Sequence, residues 1–262
     1  MFKIITICIT VFLVACTSVT TVSEQSPTKR TSKPNLHEAS ELNTKLAVGY
    51  IQRKQYKPAK DKLEKAIDQN PENVVAYKTL AYLYALLGLK DKADDTYTEA
   101  LELTPDDPDL LNSYGAFLCS IGKLDAAQET LEKAYSDPFY DGVYLAQSNA
   151  GSCYLKQQEY DKAEALLRKS LRSQPNLPGS LISMAEVGLK TERYLMARAY
   201  IQRYHSVSAA SAESLWIQTQ AERALGAHDH YLKYARQLIK DFPDSDEAGW
   251  VEAQAGNEQL RQ

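Results

Sequence analysis

The sequence has few of the features that mark an enzyme or a nucleic-acid-binding protein. It contains no G-x-x-x-x-G-K-[ST], H-E-x-x-H or G-x-S-x-G pattern, so phosphate-loop, zinc-protease and serine-hydrolase sites are not predicted. The formal net charge is −4 and the isoelectric point is near 5.7, whereas nucleic-acid-binding proteins usually carry a basic face. We therefore expect neither catalysis nor nucleic-acid binding.

Two short stretches could be taken for metal sites but are interpreted as helix ends. The His-Asp-His sequence at 228–230 offers two imidazoles, yet no third ligand is evident, and a turn between helices explains it more simply. The Asp-Asp-Pro-Asp sequence at 106–109 is acidic enough for calcium. Carboxylates also favour a helix start, because they meet the positive end of the helix dipole there. No metal site is expected.

Long apolar runs are scarce as well, and one lies at the N-terminus. Lys3 precedes a run from Ile4 to Val14, which has the length of a signal-peptide core and is too short to span a bilayer as a helix. The run ends in Leu-Val-Ala-Cys at 13–16, which resembles the bacterial lipobox. That resemblance implies cleavage before Cys16 and attachment of diacylglycerol to its sulfur. The alternative is an ordinary secretory signal with an incidental cysteine.

The residues after the expected cleavage site predict a membrane-sorting signal and a flexible tether. Thr17, rather than Asp, follows the cysteine, and in Gram-negative lipoproteins this pattern implies sorting to the outer membrane. Residues 16–36 are rich in Ser, Thr, Pro and Lys and lack apolar periodicity, which predicts a flexible tether spanning roughly 25 Å. We expect a signal peptide at 1–15 and a protein anchored by lipid to the periplasmic leaflet of the outer membrane.

Cysteine is rare, and its positions divide by their expected fate. Cys8 leaves with the signal peptide and Cys16 is the expected lipidation site, so Cys119 and Cys153 remain in an oxidising compartment. An even pair in that setting favours a disulfide, which would contribute about 3–4 kcal/mol by the chain-entropy argument. Two buried free thiols are the alternative.

The folded part is predicted to be a tandem array with a period of 34 residues, in which small, large apolar and proline positions recur in register. The small positions are Ala59, Ala93, Ala127 and Ala163, the large ones are Leu63, Tyr97, Leu131 and Leu167, and the prolines are Pro71, Pro105 and Pro175. This pattern resembles the tetratricopeptide repeat. Small residues at these positions let paired helices approach closely, and proline ends the second helix of a unit.

Six repeat units are predicted within 37–245, at 40–73, 74–107, 108–143, 144–177, 178–211 and 212–245. Unit three lacks the closing proline and is two residues longer, with an extended turn at 137–142. Residues 246–262 are predicted to form a capping helix with a frayed end. The expected fold is an all-α, right-handed superhelix of about six helical hairpins with a C-terminal capping helix.

The first helix of each unit lines the concave surface of such a superhelix, and partners usually bind there. By repeat position, the inward-facing candidates are Val48, Ile51, Val75, Lys78, Tyr82, Ala85, Leu86 and Asn112, followed by Ala116 in unit three and Ser148, Ser152 and Leu155 in unit four. The first two units are therefore expected to form an apolar groove for an amphipathic helix or an extended peptide. Alternatively, Tyr82 and Leu86 pack only against neighbouring helices.

Two segments narrow the resemblance to one family. Unit three opens with L-N-x-Y-G-x-F-L-C at 111–119, and unit four contains N-A-G-x-C at 149–153. Together with the lipobox and the six repeats, these segments resemble the type IV pilus biogenesis/stability lipoproteins of the PilF/PilW family. The resemblance covers nearly the whole chain, and it also implies a disulfide between Cys119 and Cys153.

The family resemblance implies a pilotin, a lipoprotein that helps the pilus secretin reach the outer membrane and assemble into its multimeric ring. The implied partners are the secretin subunit and, through the lipid, the outer membrane. No cofactor, nucleic acid or small-molecule substrate is expected. The sequence leaves two other functions open: an adaptor lipoprotein that scaffolds peptidoglycan hydrolases or proteases, and an enzyme whose site is assembled across repeats.

Overall fold

The computed structural model describes residues 35–255, which fold into thirteen α-helices with no β-strand in that range. The helices are Leu36–Gln52 (α1), Tyr56–Gln69 (α2), Val74–Leu86 (α3), Lys90–Leu103 (α4), Pro108–Ser120 (α5), Leu124–Ser136 (α6), Val143–Lys156 (α7), Tyr160–Ser173 (α8), Pro178–Lys190 (α9), Tyr194–Val207 (α10), Ala212–Ala224 (α11), His228–Asp241 (α12) and Asp246–Ala255 (α13). None of these thirteen is long and apolar enough to cross a bilayer. The predicted signal peptide, Cys16, nearly all of the tether and the tail at 256–262 lie outside the described residues.

The helices pair in chain order into six hairpins, from α1 with α2 to α11 with α12. The first helix of each hairpin also contacts the first helix of the next, from α1 with α3 to α9 with α11. Helix α13 packs against both helices of the last hairpin. This arrangement confirms the predicted all-α tetratricopeptide-repeat superhelix with a C-terminal capping helix.

Each hairpin depends on small residues where its two helices touch. The alanines at the small position of the second helices are fully buried in units one to five: Ala59, Ala93, Ala127, Ala163 and Ala197. On the first helices, a Cβ added at Gly115 would lie 2.6 Å from Leu131 Cγ, and one added at Gly151 would lie 2.7 Å from Leu167 Cγ. Because both leucines are fully buried in a close-packed interior, neither position has room for a side chain.

Unit six reverses the sizes found in the other units. Tyr231 stands at the small position of α12 and is half-buried, while Ala235, four residues later, is fully buried. An exchange of a large and a small side chain along one helix keeps the total volume similar, which packed cores tolerate. The end of the array has its own small core, in which Leu215 and Leu238 pack with Val251 of α13.

The turn inside every hairpin contains one residue with a left-handed backbone. These residues are Lys54, Gly88, Gly122, Gln158, Glu192 and Gly226, with φ between 57° and 84°. The next residue donates its backbone N–H to the carbonyl five positions back, as Leu89 does to Tyr84 at 2.9 Å. This geometry is the Schellman motif, which satisfies the last carbonyls of a helix. Three hairpins use glycine there, and three carry a side chain that makes the left-handed conformation costly.

Glycine at one of the non-glycine turns is expected to stabilise the array. Gln158→Gly should raise the free energy of unfolding by about 1 kcal/mol, because glycine reaches the left-handed region without the clash that a Cβ causes. Gly226→Ala should lower it by a similar amount for the same reason. Urea unfolding followed by far-ultraviolet circular dichroism measures both changes. Midpoints that move in the same direction for the two variants would contradict this explanation.

Candidate partner-binding groove

The first helices of units one to four surround an open groove of about 710 Å³. It is lined by Val48, Ile51, Gln52, Lys54, Tyr56, Lys78, Thr79, Tyr82, Leu86, Tyr97, Asn112, Ser113, Ala116 and Asn149. Most of these residues come from α1, α3 and α5, while α7 contributes one residue near the end of the groove. The groove therefore belongs chiefly to the N-terminal half of the array.

Several apolar side chains of the groove are open to solvent. Tyr82 is 50% exposed, Leu86 is 46% exposed and Val48 is 39% exposed. This exposure argues against the alternative that Tyr82 and Leu86 pack only against neighbouring helices. Tyr97 lines the same cavity but is almost fully buried, with its ring 5.4 Å from that of Tyr114. Burial raises the pKa of Tyr97.

The structure brings most of the predicted groove residues together. The cavity is lined by Val48, Ile51, Lys78, Tyr82, Leu86, Asn112 and Ala116. Val75 instead lines a separate cavity of about 470 Å³, formed with residues at the start of α1 and in the α2–α3 turn. Ala85 is half-buried against the core of the first three units. Adjacent helical residues point about 100° apart, so Ala85 turns away where Leu86 faces the groove.

The unit-four candidates are used for packing instead. Ser148 is buried and accepts a hydrogen bond from Ser180 at 2.8 Å, and Ser152 shares one with Ser183 at 2.8 Å. Leu155 is also buried. These contacts join α7 to α9 and leave no open apolar surface at those positions.

A chain of polar contacts crosses units two, three and four beside the groove. Lys78 Nζ donates to Asp109 Oδ2, and the Tyr140 hydroxyl donates to Asp109 Oδ1 at 3.3 Å. Asn112 Nδ2 donates to the Tyr140 oxygen at 3.3 Å, and Asn149 Nδ2 donates to Asn112 Oδ1 at 2.8 Å. Burial, together with the negative charge of Asp109, raises the pKa of Tyr140 to about 12. The chain links α3, α5 and α7 across the concave face.

Sequence reasoning missed one whole repeat position that faces the groove. Thr79, Ser113 and Asn149 follow the predicted inward position by one residue in units two, three and four, and all three line the cavity. Their recurrence at the repeat spacing was a usable signal. Tyr97 was also missed, although it stands where other units carry leucine, and its longer ring reaches the groove. Lys54 was not predicted to line the groove, because it lies in the turn between α1 and α2 and not on a first helix.

The two stretches that could be taken for metal sites lie at helix starts. Asp107 caps α5 by accepting hydrogen bonds from the backbone N–H groups of Asp109 at 2.9 Å and Leu110 at 3.1 Å. His228 and His230 belong to the first turn of α12. Within residues 35–255, no three His, Cys, Asp or Glu side chains are grouped as metal ligands.

Comparisons with known proteins connect this architecture to pilus assembly. Tetratricopeptide-repeat models match residues 50–112, 96–129 and 120–178. The type IV pilus assembly protein PilF of Pseudomonas aeruginosa is 29% identical over 237 residues, which cover 90% of this chain and 93% of that protein. The crystal structure of PilW, a widely conserved type IV pilus biogenesis factor, is 32% identical with a TM-score of 0.73 and covers 81% of this chain and 97% of that one.

The chain belongs to the type IV pilus biogenesis family of tetratricopeptide-repeat proteins. The structure of Pseudomonas aeruginosa PilF agrees, with 27% identity, a TM-score of 0.72, and coverage of 84% of this chain and 99% of that one. The family resemblance seen in the sequence is thereby confirmed. Because nearly the whole length of each relative is matched, the likeness includes the order of the repeats and is wider than one hairpin.

In this member of the pilus biogenesis family, a disulfide joins α5 to α7 beside the groove. Cys119 and Cys153 are bonded, with their Cα atoms 5.8 Å apart, within the usual range for a disulfide. Both cysteines are buried, and they pack with Leu118 and Ala127. The bond and the Asn149–Asn112 hydrogen bond therefore connect the same two helices at different heights.

Removal of the disulfide is expected to destabilise the array. The double variant Cys119→Ala with Cys153→Ala should lose about 3–4 kcal/mol of unfolding free energy, because the unfolded chain regains the entropy of a closed loop. Urea unfolding with and without reductant measures this loss. Reductant should lower the midpoint of the natural protein and leave that of the double variant unchanged. Equal midpoints for the oxidised natural protein and the variant would refute the prediction.

Proposed function

We propose that this protein is an outer-membrane lipoprotein pilotin, which binds the secretin subunit of the type IV pilus and promotes its outer-membrane localisation and ring assembly. Its relatives are described as a type IV pilus assembly protein and a type IV pilus biogenesis factor. The observation that carries the proposal is the exposed apolar groove of the first two units, since such a surface favours a protein partner. The activity is binding, without a catalytic step.

The groove has the properties of a site that is formed before its partner arrives. Partner contacts would remove the exposed parts of Tyr82, Leu86 and Val48 from water, which favours binding by about 25 cal/mol for each Å² of apolar surface. The polar chain through Asp109 and Asn112 already fixes neighbouring first helices. A preorganised wall loses little conformational entropy on binding, so more of the contact energy appears as affinity.

The proposed mechanism combines two signals on one chain. Lipid on Cys16 supplies the membrane address, and the groove holds the secretin subunit, so the sorting of the lipoprotein carries the subunit with it. The tether keeps the groove near the membrane and raises the local concentration of bound secretin there. An adaptor for peptidoglycan hydrolases or proteases would use the same address and groove. Co-purification from the envelope separates the two functions by showing a secretin or a hydrolase.

Truncation of the exposed groove side chains is expected to weaken secretin binding. The double variant Tyr82→Ala with Leu86→Ala should reduce affinity for the purified secretin subunit at least about 30-fold, because buried anchor residues dominate interface energy. Both side chains are half exposed, so the fold should survive, as circular dichroism would show. Leu195→Ala is the matched control, since Leu195 is an exposed leucine on α10 outside the groove. Equal losses in the two proteins would argue against the groove.

Loss of the lipidation site is expected to abolish outer-membrane localisation without affecting the fold of the repeats. Cys16→Ala should leave the repeat domain folded and still able to bind secretin, while the secretin ring is lost from the outer membrane. Membrane fractionation followed by a gel that preserves the secretin multimer measures this outcome. Normal ring assembly in the outer membrane, with the variant as the sole copy, would contradict the proposal that the lipid on Cys16 determines where the secretin assembles.

A further inference from the structure

The groove lining carries charge of one sign only. Of the residues that line the cavity, Lys54 and Lys78 are basic, and none is an aspartate or glutamate. This contrasts with the formal net charge of −4 for the whole chain. An apolar groove with ammonium groups and no lining carboxylate presents a positive potential to whatever enters it.

The two lysines differ in whether their charge is already neutralised. Lys78 donates to Asp109, whose other oxygen accepts from Tyr140, so its ammonium is engaged within the protein. Lys54 forms no ion pair or side-chain hydrogen bond within the part of the chain that the structure describes, and its side chain is exposed. Lys54 therefore supplies the positive charge of the groove that is accessible to a partner.

The local sequence reinforces the charge of Lys54. No Asp or Glu occurs between Glu41 and Asp61. The cations in that interval are Lys45, Arg53, Lys54, Lys57 and Lys60. Lys60 is paired with Glu64 on the same helix, whereas Lys57 is exposed and does not line the cavity. The turn between α1 and α2 is thus a basic rim at one end of the groove.

The backbone holds Lys54 at this rim. Its φ is 57°, and its N–H donates to the carbonyl of Ile51 at 2.8 Å. The following N–H, of Gln55, donates to the carbonyl of Tyr50 at 2.9 Å. These two bonds belong to the Schellman turn that ends α1, so the turn is a fixed part of the repeat. The turn therefore fixes the backbone of Lys54 relative to Ile51 in the groove wall, and the ammonium stays within the reach of one side chain from that point.

We propose that the groove recognises an apolar protein segment with a carboxylate beside its anchors, and that Lys54 pairs with that carboxylate. This inference rests on the proposed secretin-binding function and adds the chemistry of the bound segment. Apolar anchors occupy the space beside Tyr82 and Leu86, and an aspartate, a glutamate or a C-terminal carboxylate meets the ammonium at the rim. Pairing across a partly desolvated rim selects one orientation of the segment and disfavours basic segments.

The apolar lining favours a protein segment over an anionic membrane surface as the partner of this charge. A flat lipid surface would meet Lys54 and Lys57 alike, because both are exposed and only three residues apart, Lys54 in the α1–α2 turn and Lys57 at the start of α2. A segment inside the groove would meet Lys54, which lines the cavity, and would miss Lys57. The two lysines therefore form a matched pair of test positions that change the net charge equally.

The test measures binding of the full-length protein to the purified secretin subunit. Lys54→Gln should weaken binding about two- to fivefold, the range for one exposed ion pair, and Lys54→Glu by about tenfold or more, because a like charge then repels the carboxylate. Lys57→Glu should stay within about twofold. At about 1 M salt, where the screening length is about 3 Å, the natural protein should lose its advantage over Lys54→Gln.

A charge exchange sharpens the test. Overlapping peptides that cover the secretin subunit identify the bound segment, which should contain a carboxylate near its apolar residues. Replacement of that Asp or Glu by Lys should weaken binding to the natural protein by about tenfold and should restore most of the binding to Lys54→Glu. For a C-terminal carboxylate, amidation should reproduce the effect of Lys54→Gln. A bound segment without any carboxylate would overturn the inference.

The remaining outcomes separate this inference from the function on which it rests. If Tyr82→Ala with Leu86→Ala abolishes binding while Lys54→Glu does not change it, the groove is the site and the carboxylate pairing is wrong. If Lys54→Glu and Lys57→Glu weaken binding to phosphatidylglycerol vesicles equally and leave secretin binding intact, the basic rim serves the membrane and the inference fails. If the natural protein does not bind secretin, both proposals fall.

Discussion

The close approach of the two helices in each hairpin is the contact on which the whole array depends. Buried alanines such as Ala59 and Ala127, and glycines such as Gly115, leave the helix axes near enough for the large apolar residues to fill the remaining space. Since each hairpin contacts only its neighbours, this geometry is repeated rather than shared through one central core. A larger residue at any of these positions would alter the spacing of one hairpin and hence the surface that it presents.

The groove exists because the packing requirement falls mainly on other faces of the first helices. Leu80, Ala81 and Tyr84 of α3 are buried in the core, which leaves Tyr82 and Leu86 free to carry a different function. In unit four the same face packs against the next unit, because Ser148 and Ser152 form hydrogen bonds with α9. The boundary between binding surface and structural surface therefore lies within α7, where Asn149 still lines the cavity.

Periodicity was enough to predict the fold, since the small, large apolar and proline positions of the repeat follow directly from residue spacing. It also placed Tyr82, Leu86 and Asn112 in one groove, because residues at equal repeat positions point the same way. Ala85 does not line the cavity, since a repeat position does not fix helix rotation finely enough to choose between neighbours. Tyr97 could not be assigned from its helix, because its reach into the groove depends on side-chain length and on the space between helices.

The disulfide also limits how far local unfolding can spread through a linear array. In a chain of nearest-neighbour units, fraying begins at an end and advances one hairpin at a time. Loss of the C-terminal hairpins can proceed without touching Tyr82 or Leu86, but the covalent bond from Cys119 to Cys153 limits how far α7 can separate from α5. An array whose last two units have unfolded would thus keep α7, which contributes Asn149 to the cavity, joined to α5. The bond therefore marks the point in the array at which unfolding from the C-terminal end no longer separates two first helices that line the groove.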